Sequence, residues 1–154
     1  AAQAAPFVMK LSPLAHQTSA HADAVWSVAW CPTGDDDGGD LLLTGSVDES
    51  VKSWRATAEG LEMVHDYQGH TLGVVSLAVA SNGLVASSAL DSFVRVWDLK
   101  THETKCVIEC PAAENWAVAF EPTKDDAAPT LLALAGGVSG AVKLYSVADG
   151  DDLG

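Results

Sequence analysis

Two histidines, each followed along the chain by a hydroxyl residue and an aspartate, are the first features of this sequence that could do chemistry: His21, Thr44 and Asp48, then His70, Ser87 and Asp91. Histidine, serine and aspartate are the residue types of a hydrolase triad, in which the imidazole takes the hydroxyl proton and the carboxylate orients the imidazole. The local pattern argues against that chemistry. Thr44 and Ser87 fall inside short apolar runs that read as strands, whereas a nucleophilic serine needs an exposed elbow. His16, His65 and His102 fall in loops or at strand ends, with no second ligand at metal-site spacing. Cys31, Cys106 and Cys110 are odd in number and form no C-x-x-C pair, so neither a disulfide framework nor a zinc site is indicated. The carboxylates Asp35, Asp36, Asp37 and Asp40 lack the alternation of a calcium loop and read as solvated. No metal and no cofactor is expected.

The elements that must position these residues are strands. Five Trp and many brief Val-, Leu- and Ala-rich runs broken by Gly, Asp and Pro indicate an all-β chain. Its 154 residues carry 21 acidic against 8 basic side chains, a net charge of −13 that disfavours direct binding to nucleic acid. No apolar run approaches the roughly 18 residues of a spanning helix and no signal peptide opens the chain, so a soluble, intracellular protein is expected. There is no initiator Met, which suggests a fragment.

Three segments superimpose on one another. The first runs from His21 through Val25-Trp26-Ser27-Val28-Ala29-Trp30 and Asp48 to Trp54; the second from Gly69-His70 through Asp91 to Trp97-Asp98; the third, weaker, from Trp116-Ala117-Val118-Ala119-Phe120 to Tyr145. Trp54 to Trp97 is 43 residues and Trp97 to Tyr145 is 48, against the about 40–45 of a WD repeat. The chain therefore resembles a WD40 β-propeller, a single partial domain over 1–154 with repeats at about 20–67, 68–110 and 111–154, three blades of an expected seven. Inner strands are predicted near 25–30, 74–79 and 116–120, second strands near 41–45, 84–88 and 131–135, third strands near 51–55, 93–97 and 141–145, and outer strands near 61–66 and 105–109. Residues 7–11 would be the closing strand of the absent last blade.

The WD resemblance implies a structural tetrad in place of a catalytic triad: His21, Thr44, Asp48 and Trp54 in the first blade, and His70, Ser87, Asp91 and Trp97 in the second. Blade three would hold Pro111, Ala135, Ser139 and Tyr145 there, and so lack the network. The resemblance also places Ala24, Trp26, Val47, Gly73, Val75, Leu90, Glu114, Trp116 and Val138 on one partner-binding top face. Within that face Trp26 and Trp116 are read as an aromatic anchor, and Trp30 and Phe120 as more deeply placed.

The strings around Ala20-His21, Gly69-His70-Thr71-Leu72-Gly73 and Ala86-Ser87-Ser88-Ala89-Leu90-Asp91, with Asn115-Trp116 in the third repeat, resemble the small WD-repeat subunit shared by the superkiller (Ski) and polymerase-associated-factor (Paf) complexes. That resemblance implies a non-catalytic scaffold, present in nucleus and cytoplasm. Its partners would be the helical-repeat and helicase subunits of an exosome-linked mRNA-decay complex and the Paf subunits that accompany RNA polymerase II and support histone modification. No direct nucleic-acid contact and no membrane are expected. The alternative is another WD40 adaptor, a ubiquitin-ligase substrate receptor or a G-protein-β-like scaffold, although no ligase-docking segment or N-terminal heptad run is visible.

Overall fold

Alternating apolar and polar residues with tight polar turns produce eleven strands in the computed structural model, which describes residues 12–13, 16–32, 39–111, 115–123, 127–137 and 140–147. They are β1 (Val25–Cys31), β2 (Leu41–Ser46), β3 (Val51–Thr57), β4 (Gly60–Tyr67), β5 (Val74–Val79), β6 (Leu84–Ala89), β7 (Phe93–Asp98), β8 (Thr104–Glu109), β9 (Ala117–Phe120), β10 (Leu131–Ala135) and β11 (Val142–Ser146). Neighbours pair antiparallel in three sheets, β1-β2-β3-β4, β5-β6-β7-β8 and β11-β10-β9. These are three blades of a WD40 propeller, all-β as the pattern predicts. Residues 7–11 and Asp35 to Asp37 lie outside the described residues.

Aspartates make the turns that join second to third strand. Asp48 accepts from the Ser50 amide at 3.1 Å and Asp91 from the Phe93 amide at 3.0 Å. In each turn the following residue, Glu49 or Ser92, takes a positive φ of 72° or 69°, a conformation bought by the side-chain bond to the turn.

A single sheet layer has two faces to bury, so the core lies between the blades. Leu43, Val51 and Tyr67 of blade one meet Val74, Val85, Ala89 and Trp97 of blade two. The other face of blade two, with Ala86, Val94, Val96 and Ile108, meets Val118, Leu132, Leu134 and Tyr145 of blade three. Among the described residues nothing covers the two ends of this stack. Val74 is 0% exposed, while Val25, at the same register in blade one, is 47% exposed. Val94 and Val96 are 0% exposed, while Val142 and Leu144 at the matching positions of blade three are 69% and 42% exposed.

This corrects the placing of Trp30. It lies on the open end of blade one and is 58% exposed, because the face that buries Val79 of blade two belongs to a preceding blade. Phe120 does pack against the second cluster. Apolar ends of this kind associate. The 154-residue chain is expected to self-associate at tens of micromolar, an order set by where exposed apolar surface usually aggregates. Trp30→Glu combined with Val142→Glu should shift it toward monomer. A monomeric parent chain by light scattering would contradict this.

Candidate functional site

The two predicted tetrads come together residue by residue. In blade two, Nδ1 of His70 lies 2.9 Å from Oδ2 of Asp91, Nε2 lies 2.8 Å from Oγ of Ser87, and the indole Nε1 of Trp97 donates to that same Oγ at 2.8 Å. With the carboxylate as acceptor the imidazole carries its proton on Nδ1, so the Ser87 hydroxyl donates to Nε2 while accepting from the indole. In blade one, His21 Nδ1 lies 3.0 Å from Asp48, Nε2 lies 2.7 Å from Oγ1 of Thr44, and Trp54 donates to that oxygen at 2.8 Å. Ser50, not foreseen, joins as a fifth member and donates to Asp48 at 2.7 Å. The Asp carboxylates also accept from the Ala22 and Thr71 amides, at 2.8 and 3.0 Å, which pins the entry to each inner strand.

The electrostatics are those of a structural network. Burial pushes the Asp91 carboxyl up, but hydrogen bonds from the Thr71 amide, His70 and the Phe93 amide outweigh it and hold it below the usual carboxylate range. Asp48 is held down likewise, by Ser50, the Ala22 amide and His21 against its burial. Burial, and to a lesser degree the Arg95 charge, lowers His70 against the pull of Asp91. The triad distances are present, yet Ser87 is 0% exposed and both functions of its hydroxyl are taken. No substrate carbonyl can reach that oxygen.

Blade three departs from the expected register by one residue. Val118 pairs with Leu134 as Leu77 pairs with Ser87, so Leu134 and not Ala135 occupies the hydroxyl position. Leu134 is 2% exposed and packs with Leu132 and Tyr145. The stretch from there to Tyr145 is one residue longer than that from Ser87 to Trp97, which is how counting back from the aromatic residue misses the register. Ser139 lies outside the described residues. Asn115, quoted in the sequence for the resemblance but given no structural role there, is 1% exposed and donates from Nδ2 to the Ala89 carbonyl at 2.6 Å, tying blade three to blade two. An asparagine just before an inner strand, where the other two repeats carry Val25 and Val74, was the only trace of it in the sequence.

The candidate partner-binding face lies at the end of the blades where the inner strands begin. Pairing is interrupted between Val25 and Ser27 and again between Val74 and Ser76, so Trp26 and Val75 are bulge residues. A bulge re-aims its side chain, and Trp26 is 50% exposed beside Ala24, which is also exposed. Trp116, just before β9 at the corresponding place, is 53% exposed. Each indole rests on a glycine. A Cβ on Gly73 would stand 2.9 Å from Cζ3 of Trp26, and one on Gly136 would stand 2.8 Å from Cδ1 of Trp116. Gly73 is therefore buried beneath the face instead of forming its surface, and Val47, Val75 and Leu90 are half-buried. Glu114 and Val138 lie outside the described residues. Among the described residues no group of His, Cys, Asp and Glu could hold a metal ion, and no helix is long and apolar enough to cross a membrane.

Comparison with known proteins points to WD repeats as well. The family model for the WD domain, G-beta repeat, matches residues 12–55 and 61–98. The chain is 46% identical over 91% of its length to WD repeat-containing protein VIP3 of Arabidopsis thaliana, of which it spans 41%. It is 34% identical over 69% of its length to WD repeat-containing protein SL1-17 of Schistosoma mansoni, spanning 35% of that protein. To Superkiller complex protein 8 of Dictyostelium discoideum it is 32% identical over 55% of its length and 27% of the relative's. The chain thus spans less than half the length of these relatives.

Proposed function

Since the chain belongs to the WD40 (G-beta repeat) family, we propose that it is a non-catalytic protein-interaction scaffold that contributes its face around Trp26 and Trp116 to a subunit of the Ski and Paf complexes. Proteins of this family are generally scaffolds and not enzymes. The observation that carries the reading is a division of labour. The His, hydroxyl and Asp side chains that could react are buried in structural tetrads, and the end of the blades offers half-exposed indoles instead. Large aromatic side chains at the centre of a contact carry much of the binding free energy. The likeness to Superkiller complex protein 8 supports the Ski assignment; the resemblance of the repeat strings supports the Paf one. On this reading the protein works in both cytoplasm and nucleus, and its direct partners are proteins, not nucleic acid, in keeping with the net charge of −13.

Affinity capture of the full-length protein from cell extract, followed by mass spectrometry, is expected to recover Ski helicase and helical-repeat subunits together with Paf subunits. Recovery of neither set would overturn the assignment. Recovery of ligase or G-protein components in their place would put the chain among other WD40 adaptors.

A further inference from the structure

Two imidazoles with no part in the tetrads meet where the outer strand of blade one faces the turn between β7 and β8. His65 and His102 stack with ring centroids 4.1 Å apart and planes inclined by 9°. The turn fixes His102, whose amide donates to the Asp98 carbonyl at 2.8 Å and whose φ is 60°. Tyr67, 3% exposed, has its hydroxyl 2.9 Å from Nδ1 of His102, and its ring lies 4.5 Å from that of His65 and 5.5 Å from that of Trp97. These contacts join blade one to blade two.

The stacking excludes shared metal ligation. Imidazole nitrogens bind an ion in the plane of their own ring, and one ion cannot lie in two parallel planes at this separation. The same closeness makes the joint sensitive to charge, because two imidazolium rings face to face repel. We propose that the His65–His102 stack is a pH-sensitive latch between the first two blades, closed while at most one ring is charged and loosened when acid charges both.

The surrounding groups fit this role. Burial first and His102 second hold His65 below the ordinary histidine range, against the smaller opposing pull of Asp66 on β4. Tyr67 faces Asp98 of blade two and Cys31 of blade one, and burial pushes its phenol up to about 12, so it stays neutral and can donate to an unprotonated Nδ1 of His102. A histidine lowered in the folded state binds its proton more readily when the joint is open. The contribution of His65 is therefore present above the unfolded value of about 6.5 and is lost as pH falls below it.

Histidine C2-hydrogen exchange and backbone amide exchange, both read by mass spectrometry on the whole chain, test the latch. His65 should titrate below the ordinary value, and its midpoint should rise in His102→Asn, a substitution that tolerates the positive φ. Amide protection in 60–67, on the blade-one side of the joint, should fall roughly threefold or more between about pH 7 and about pH 5.5 after correction for intrinsic rates, with β9 and β10 unchanged, and this dependence should vanish in the variant. A His65 midpoint indifferent to His102, or protection at the joint indifferent to acid, would overturn the proposal.

Discussion

Trp26→Ala and Trp116→Ala in the full-length protein are each expected, on the proposed scaffold function, to weaken partner binding by about 2 kcal/mol or more, roughly thirtyfold in Kd. The expectation rests on exposure and support together. Each indole is half-exposed, so it has apolar area left to bury, and each rests on a glycine, which limits how far the ring can sink or turn on its own. A rigid aromatic surface loses little side-chain freedom when a partner covers it. Stability should change little, because neither ring belongs to the clusters between the blades. Lys100→Ala, in the turn between β7 and β8 at the opposite end of the strands, is the control and should leave affinity unaltered. Calorimetric titration decides: unchanged affinity in both Trp variants, with folding intact, would move the binding face elsewhere.

The largest expected loss of stability is that of Asp91→Ala. The substitution leaves Nδ1 of His70 and the amides of Phe93 and Thr71 without their acceptor. The His70 side chain is 1% exposed and that of Asp91 is 2% exposed, so water replaces these bonds poorly. At about 1–3 kcal/mol for each buried group orphaned, and with the Thr71 amide near solvent, a total of about 3 kcal/mol is expected. Asp91→Asn keeps an acceptor oxygen and should cost less. Asp48→Ala should also cost less than Asp91→Ala, because the Asp48 side chain is 12% exposed. Chemical denaturation would check the order, and an Asp48→Ala loss equal to or larger than that of Asp91→Ala would refute this account of burial.

The pH dependence of the second tetrad has a definite sign. Asp91 is lowered in the folded protein, so its contribution is present above the ordinary carboxylate range and lost as pH falls through its folded value. His70 is lowered too, so its contribution is full above about 6.5 and declines as pH falls below that. Acid therefore weakens blade two in two stages, the histidine first.

What the sequence by itself determined is what depends on near neighbours. The three superimposed repeats, read in the WD frame they resemble, located the strands to within a residue or two, and the aspartate turns stand where that frame put them. The WD resemblance carried by those repeats named every member of both tetrads except Ser50, because a tetrad is assembled inside one blade. Tertiary structure decided the rest. Trp26, Val28 and Trp30 look equivalent in a period-two reading, yet a bulge turns Trp26 toward the proposed binding face while Trp30 stands on the open end of the stack. Whether an inner-strand residue is core or surface depends on the adjoining blade, contributed by residues about a repeat away in the chain. His65 and His102 show the same limit: 37 positions apart and unremarkable singly, they meet because blade two lays its β7–β8 turn against the outer strand of blade one.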